Sequence, residues 1–345
     1  MRSDVGKFIV SVQMKDILAK TVPTQDLERI RLSGVFVVRG VVSPEFAGKW
    51  NDSLMSEMSY YHSADPANVA SYDSIYSDSS FPSFGGIQDM FYTRAQFAIH
   101  QNPNVRAVKS WANSTFWKNH DTDGNPCMMS GDCSALYCDR WRHRLPNYPV
   151  QSGMRPHIDA GGHSRWADEE YVKAYSPLFQ DRYHEFDPWV AGPRTHTSSV
   201  VFRSFQGWVA TTSQCPGSGG LMVLPVLKES IACLMMRPFL KDVEPHILCG
   251  CDVSHADQIE VCKFYHSFMN QSLVSIGHIK AGDMVCHAAL SKLISHEFPM
   301  KPPHSLSFDC RSCGILISFM QWKMMIAHNS TLLTLCTRQH CQCAP

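Results

Sequence analysis

The segment Arg155-Pro156-His157-Ile158-Asp159-Ala160-Gly161-Gly162-His163-Ser164-Arg165-Trp166 decides how the rest of the chain is read. On an extended strand, positions two apart share a face, so His157 and Asp159 can be directed at one ion. One imidazole and one carboxylate supply two corners of a 2-His-1-carboxylate set around Fe(II), which leaves the opposite coordination sites open. Gly161 and Gly162 let the backbone turn sharply beside such a site. The tripeptide alone is a weak signal, because a His and an Asp two apart also occur by chance in polar loops. His163 fits a surface loop or a group behind the metal ligands.

Working outward, the segment from about residue 135 onward breaks into short apolar runs punctuated by Gly and Pro. The clearest strands are predicted over 199–212, 220–226 and 272–285. Many short strands with turn signals predict a sandwich, barrel or jelly roll. Ala281-Gly282-Asp283-Met284-Val285 is a Gly-Asp turn leading into an apolar strand, the kind of entry that carries the last metal ligand in jelly-roll oxygenases. Upstream, residues 33–42 are rich in β-branched side chains and predict a strand. Ser43-Pro44-Glu45 has the form of a helix start, and Phe46, Trp50, Leu54 and Met58 recur every four residues along a core-facing stripe. Residues 62–86 read as a loop, and Pro103 starts a second helix over about 104–117. The expected architecture is mainly β with packed helices, an α+β chain around a double-stranded β-helix (jelly-roll, cupin-like) core. Its C-terminal strands are expected to be missing.

Composition narrows the function classes. The chain has 345 residues, 44% of them hydrophobic and 18% charged, which is globular. Lys plus Arg equals Asp plus Glu at 31 each, which argues against nucleic acid or an anionic membrane as the partner and leaves a small-molecule substrate. No signal peptide or membrane-spanning run is evident, so a cytoplasmic protein with its 14 cysteines as thiols is expected.

The chain resembles the YbiU-like family, whose members have an iron and 2-oxoglutarate oxygenase fold and are distantly similar to phytanoyl-CoA dioxygenase. The likeness covers about residues 26–285. It rests on residues 35–42, on Phe91-Tyr92 with Gln96 and His100-Gln101-Asn102-Pro103, and on Tyr137-Cys138-Asp139-Arg140-Trp141-Arg142-His143-Arg144. It continues through 156–166, Asp187-Pro188-Trp189, 202–208 and Met236-Arg237-Pro238-Phe239. The resemblance implies His157 and Asp159 as metal ligands, Fe(II) as the metal and 2-oxoglutarate as cosubstrate. Where the family has an acid before Arg165-Trp166, this chain has Ser164. Arg203, Arg142 and Arg155 are the guanidinium groups that could hold a 2-oxoglutarate carboxylate, with Arg203 chosen as the cofactor-binding residue. Each could equally serve a structural ion pair. Gln206 and Trp208 could line the pocket, and Trp208 could equally be core.

Beyond Val285 the pattern fails. The family motif runs on as Trp-His-x-Asp-x-x-His-Ala-Val-Glu, its second His being the distal metal ligand. This chain has Cys286-His287-Ala288-Ala289-Leu290, and neither His287 nor His296 falls at the expected offset. Back-translating 313–325 and reading from the third base of each codon is compatible with Trp-His-Ser-Asp-Leu-Val-His-Ala-Val-Glu. Val285-Cys286 can encode an intron donor, and Cys310-Arg311 an acceptor. Residues 285–311 therefore read as a retained intron, and 312–345 as an out-of-frame exon. The Cys310-x-x-Cys313 and Cys341-x-Cys343 pairs, with His340, then need no zinc site to explain them.

The expected organisation is a lead-in over 1–30, a jelly-roll oxygenase-like domain over 31–285 and an aberrant tail over 286–345. The expected function is an Fe(II)/2-oxoglutarate-dependent oxygenase of a small molecule, inactive as written because the distal His is lost. The rival is a catalytically dead jelly-roll binding protein. A zinc hydrolase using the same two ligands is a third reading.

Overall fold

The computed structural model describes residues 8–64, 87–88, 91–117, 134–135, 139–144, 157–159, 173, 176–178, 180, 182–189, 202–216, 220–236, 258–260, 272–288, 295–296 and 312–321. The first strand, β1 (Val10–Gln13), alternates buried and exposed residues, and α1 (Met14–Ala19) and α2 (Thr24–Ser33) follow. The lead-in over 1–30 thus carries a strand and most of two helices. The predicted strand over 33–42 is β2 (Val35–Arg39), and β1 lies parallel to it with Val10 opposite Phe36.

Ser43 caps α3 (Pro44–Ala64), its hydroxyl accepting the Phe46 N–H at 3.2 Å. Trp50 and Leu54 are buried as the four-residue spacing predicts, whereas Phe46 is 46% exposed. The helix runs to Ala64, past the expected loop start at 62. After the short β3 (Ile87–Gln88) come α4 (Arg94–Gln101) and α5 (Pro103–Phe116). Thr93 and Gln96 form a capping box on α4, and Asn102 caps α5 with Pro103 in its first turn.

The remaining elements are β4 (Ser134–Ala135), β5 (Trp141–Arg144), β6 (His157–Asp159), β7 (Phe202–Ala210), β8 (Leu221–Val223), α6 (Leu227–Met236), β9 (Gln258–Glu260), β10 (Val274–Ser275), β11 (Met284–Ala288), β12 (Ser295–His296) and β13 (Ser312–Gln321). An eight-stranded sheet runs β1-β2-β11-β7-β13-β5-β3, with β4 paired to β13. Only β1–β2 is parallel, so the sheet is mixed. A three-stranded sheet runs β10-β8-β12, and β6 pairs with β9. Within the stretch 286–345, β13 occupies a central place between β7 and β5.

Burial on both faces explains the continuous Val-Phe-Val-Val run of β2. Phe36 and Val38 face one core with Leu54, Ile99, Val108, Phe116 and Phe205, on the helix side. Val35 and Val37 face a second core with Trp208, Val285, Leu221, Val223, Val274 and Ile279, so the small sheet covers the other side. The result is an α+β architecture with helices on one face of a mixed sheet and a short antiparallel sheet on the other. Among the described residues, no helix is long and apolar enough to cross a membrane. Cys233 and Cys286 are free, but Cys215, expected as a thiol, is disulfide-bonded: the half-buried turn after β7 presents its sulfur to a second one.

Candidate functional site

The backbone of His157-Ile158-Asp159 is a strand, as its reading requires. β6 pairs antiparallel with β9 in the register His157–Glu260, Ile158–Ile259 and Asp159–Gln258. In such a pleat, positions 157 and 159 share a face and position 158 takes the other. Arg155 and residues 160–166, including His163 and Ser164, lie outside the described residues.

The face of the large sheet turned toward the small sheet carries the other polar residues of interest. Along β11, Met284, Cys286 and Ala288 belong to the helix-side core, so Val285 and His287 take the opposite face. His287 is 2% exposed and sits in register with Val35 on one side and Gln206 on the other. Its Nδ1 lies 3.3 Å from the Ala288 carbonyl oxygen. Gln206 is buried on the same face. Trp208 belongs to the core there, and its Nε1 donates to Gln214 Oε1 at 3.2 Å. Trp141 packs on the helix side, which puts its half-buried neighbour Arg142 on the face turned toward the small sheet. Arg203 is at the start of β7, opposite Met320. A register shift there pairs Phe205 with Phe319 and leaves Ser204 as an extra residue. The bulge brings the Ser204 hydroxyl to Asn113 Oδ1 on α5 at 2.6 Å. His296 lies on β12 opposite Leu221. The structure thus assembles Gln206, Trp208, His287 and Arg142 on one sheet face, while His157 and Asp159 belong to the separate β6–β9 pair.

The Gly-Asp turn proves to be a clamp. Asp283 Oδ2 accepts from Arg39 Nη1 at 2.8 Å and from the Lys280 N–H at 2.9 Å, and Oδ1 accepts from the Gly40 N–H at 3.0 Å. Arg39 Nη1 also donates to the His278 carbonyl at 2.8 Å. Gly282 has φ of 86°, and a Cβ there would stand 2.2 Å from the Val42 carbonyl oxygen. Only glycine lets this turn pass so close to the end of β2. The motif fixes where β11 enters the sheet.

A buried ionic chain escaped sequence reasoning. His100 Nε2 meets Asp139 Oδ2, and Lys109 Nζ lies 3.5 Å from His100 Nδ1. Gln96 Nε2 donates to the Asp139 backbone carbonyl at 2.7 Å. Burial lowers the pKa of Lys109, Asp139 works against that shift, and Arg106 adds to it. The signal was available: His100 and Asp139 both lie in the family-like blocks, but their proximity depends on tertiary packing. Burial alone pushes the Cys286 thiol well up, which leaves it inert as a nucleophile.

For a divalent metal, the relevant donors are one imidazole and one carboxylate on β6, a chemistry that suits Fe(II). Among the described residues, no group of three or more His, Cys, Asp and Glu is placed to hold an ion. The donor set therefore fits in kind and is short by at least one member.

A mixed sheet between a helical layer and a short antiparallel sheet defines an α+β protein, and the same fold occurs in the crystal structure of the hypothetical protein JW0805 from Escherichia coli. The likeness has a TM-score of 0.72 at 26% identity and covers 90% of this chain and 72% of that one. The chain belongs to the Gig2-like family, whose pattern matches residues 1–296. It is 29% identical over 286 residues to the uncharacterized protein YbiU of E. coli strain K12, covering 78% of this chain and 64% of that protein's length. A Salmonella typhimurium LT2 protein, provisionally called an oxidoreductase, shares the fold with a TM-score of 0.71 at 23% identity, over 90% of this chain and 72% of that one.

Proposed function

We propose that this chain carries the scaffold of a mononuclear non-haem iron oxygenase that uses 2-oxoglutarate and acts on a small molecule. His157 and Asp159 would be two of its metal ligands. The observation that supports the reading most is the extended backbone of His157-Ile158-Asp159, paired antiparallel rather than coiled into a loop. Two β-sheets enclosing a common core are also compatible with a jelly-roll derivative. The Salmonella relative's provisional name points toward the same broad chemistry.

With Fe(II) bound, 2-oxoglutarate and dioxygen supply oxidation of a substrate C–H bond, the cosubstrate leaving as succinate and carbon dioxide. The chain's own residues do the rest. His157 would contribute a neutral imidazole nitrogen and Asp159 a carboxylate oxygen. Arg142, half-buried on a face lined by apolar side chains, would pair with a carboxylate and hold it away from water. Arg203, the residue chosen from the sequence, lies at the start of β7 opposite Met320 and is the other candidate.

The distal imidazole is missing from this reading of the gene, and 285–311 is proposed to be a retained intron. The chain as written is therefore expected to be inactive as an oxygenase. The test is a frame-repaired chain in which the bases encoding the proposed intron are removed after Met284, so that the downstream frame includes Trp-His-Ser-Asp-Leu-Val-His-Ala-Val-Glu. It should consume 2-oxoglutarate only with Fe(II) present, and His157→Ala should abolish that consumption. Turnover by the unrepaired chain, or indifference of the repaired one to His157→Ala, would overturn the reading.

A further inference from the structure

Asp139 is tied to the helical layer through both its side chain and its backbone, just before the chain enters β5. Its carboxylate meets His100 Nε2, and its backbone carbonyl accepts from Gln96 Nε2 at 2.7 Å. Lys109 on α5 backs the same imidazole, its Nζ 3.5 Å from Nδ1. The side chains of His100 and Asp139 are 7% and 2% exposed, and Gln96 and Lys109 are buried. An interior that had only to pack would be apolar here, because apolar groups of similar volume match or exceed the stability of a buried ionic set. The best-attested use of such groups is to fix a register. The register at stake is that of β5. This strand has four residues, and a β ladder repeats its hydrogen bonds along its length, so the backbone alone does not choose the alignment. A slip of one residue exchanges the faces of Trp141 and Arg142, and a slip of two carries Arg142 about 7 Å along the strand.

We propose that His100, Lys109 and Asp139 are positioning residues for Arg142: the buried chain they form sets the start of β5, and with it the place from which Arg142 meets a carboxylate. The inference rests on the reading of Arg142 as the group that holds 2-oxoglutarate. Asp139 lies three positions ahead of Arg142, and Trp141 between them is fully buried in the helix-side core. One end of this short segment is fastened to α4, and the indole is seated among apolar side chains. Arg142 is thereby left half-buried on the face turned toward the small sheet. Pairing a guanidinium with a carboxylate through two parallel N–H···O bonds is geometrically demanding, and a displacement of about 1 Å is enough to weaken it. His100 and Lys109 belong to the helical layer on the other side of the sheet, so they act through β5 and not on the ligand.

The test uses the full chain and measures two quantities side by side: the urea midpoint, and the affinity for 2-oxoglutarate by calorimetry with Mn(II) present. A triple variant, His100→Leu with Lys109→Met and Asp139→Leu, replaces the whole ionic chain by apolar groups. Its urea midpoint should equal or exceed that of the wild type, because no unpaired charge is left buried. Its affinity for 2-oxoglutarate should nevertheless fall at least tenfold. A role confined to stability would move the two together. If the triple variant does not fold, Asp139→Asn takes its place, compared with Ile99→Val, an apolar change in the buried face of α4. Asp139→Asn should lose more affinity per degree of melting temperature than Ile99→Val does. Arg142→Ala separates the two layers of the argument. If it loses binding while the triple variant, or Asp139→Asn judged against Ile99→Val, keeps it, the positioning role is refuted and the reading of Arg142 stands. If the wild type binds no 2-oxoglutarate, or Arg142→Ala binds it unchanged, the reading of Arg142 is refuted and the positioning role with it.

Discussion

Lys109 is the residue whose environment is most at odds with its chemistry. Its ammonium is almost fully buried on α5, beside an imidazole that in turn meets a buried carboxylate. The donor inventory allows one arrangement that satisfies all three: the Lys109 ammonium donates to His100 Nδ1, and His100 Nε2–H donates to Asp139. Lys109→Met removes the donor at one end and should cost about 1–3 kcal/mol, read by urea unfolding at neutral pH. The same residue gives a signed pH effect. Its folded pKa lies below 10.5, so in the window beneath that value the unfolded chain binds the proton more tightly than the folded one. Stability from this group is then lost as pH falls through the folded value and grows as pH rises toward 10.5. The gap between wild type and Lys109→Met should widen with rising alkaline pH; parallel stability curves would refute the assignment. None of this was legible in the sequence, where a lysine in an amphipathic helix reads as solvent-facing.

Among the elements, β7 and β11 show how closely strands are fitted together. Gly207 stands opposite Cys286, and a Cβ at position 207 would lie 1.9 Å from the Val285 carbonyl oxygen. Gly207→Ala should therefore force the two strands apart at about 1–3 kcal/mol, with faster amide hydrogen exchange in β11 than in β1. Unchanged exchange in β11 would count against so tight a fit. Local chemistry made several elements readable in advance. β2 was visible as a β-branched run, and α5 through Pro103 at its start. β1 was not, because Val10-Ser11-Val12-Gln13 offers a single alternation and its partner is the parallel β2, a pairing no local pattern encodes. Phe46 was assigned to the core by spacing alone, yet it is 46% exposed in the first turn of α3, where its neighbour Ala47 takes the buried position. Its ring packs edge-on against Trp50 instead.

Across the whole molecule, the helical layer is bound to the sheet by aromatic rings. Trp189 is 1% exposed, packs against Phe116, Trp117 and Phe205, and donates from Nε1 to the Arg31 carbonyl at 2.9 Å. It therefore joins α2, α5 and β7. Trp189→Ala should cost about 3–5 kcal/mol in a denaturant titration. A loss under 1 kcal/mol would mean that the layers are held otherwise. At this scale the α+β arrangement was legible from periodicity and turn signals. The site was legible only in part: the sequence put His157 and Asp159 on a strand, but the strand that pairs with it begins 99 positions after Asp159, so Glu260 could not be read as a neighbour. The Gly-Asp turn was read as the entry to an apolar strand, which β11 is, but its fastening role was not legible because the Arg39 partner lies far upstream.

That fastening has a consequence for biogenesis. Arg39 and Asp283 are 244 positions apart, and β2 borders β11 along the same seam. At about 5–20 residues per second, a ribosome needs roughly 12–50 s to make the intervening chain. For that interval the nascent β2 has an unpaired flank of Val and Phe, a template for wrong partners until β11 emerges. Chaperone occupancy during translation should therefore begin near β2 and end only once Asp283 has left the exit tunnel.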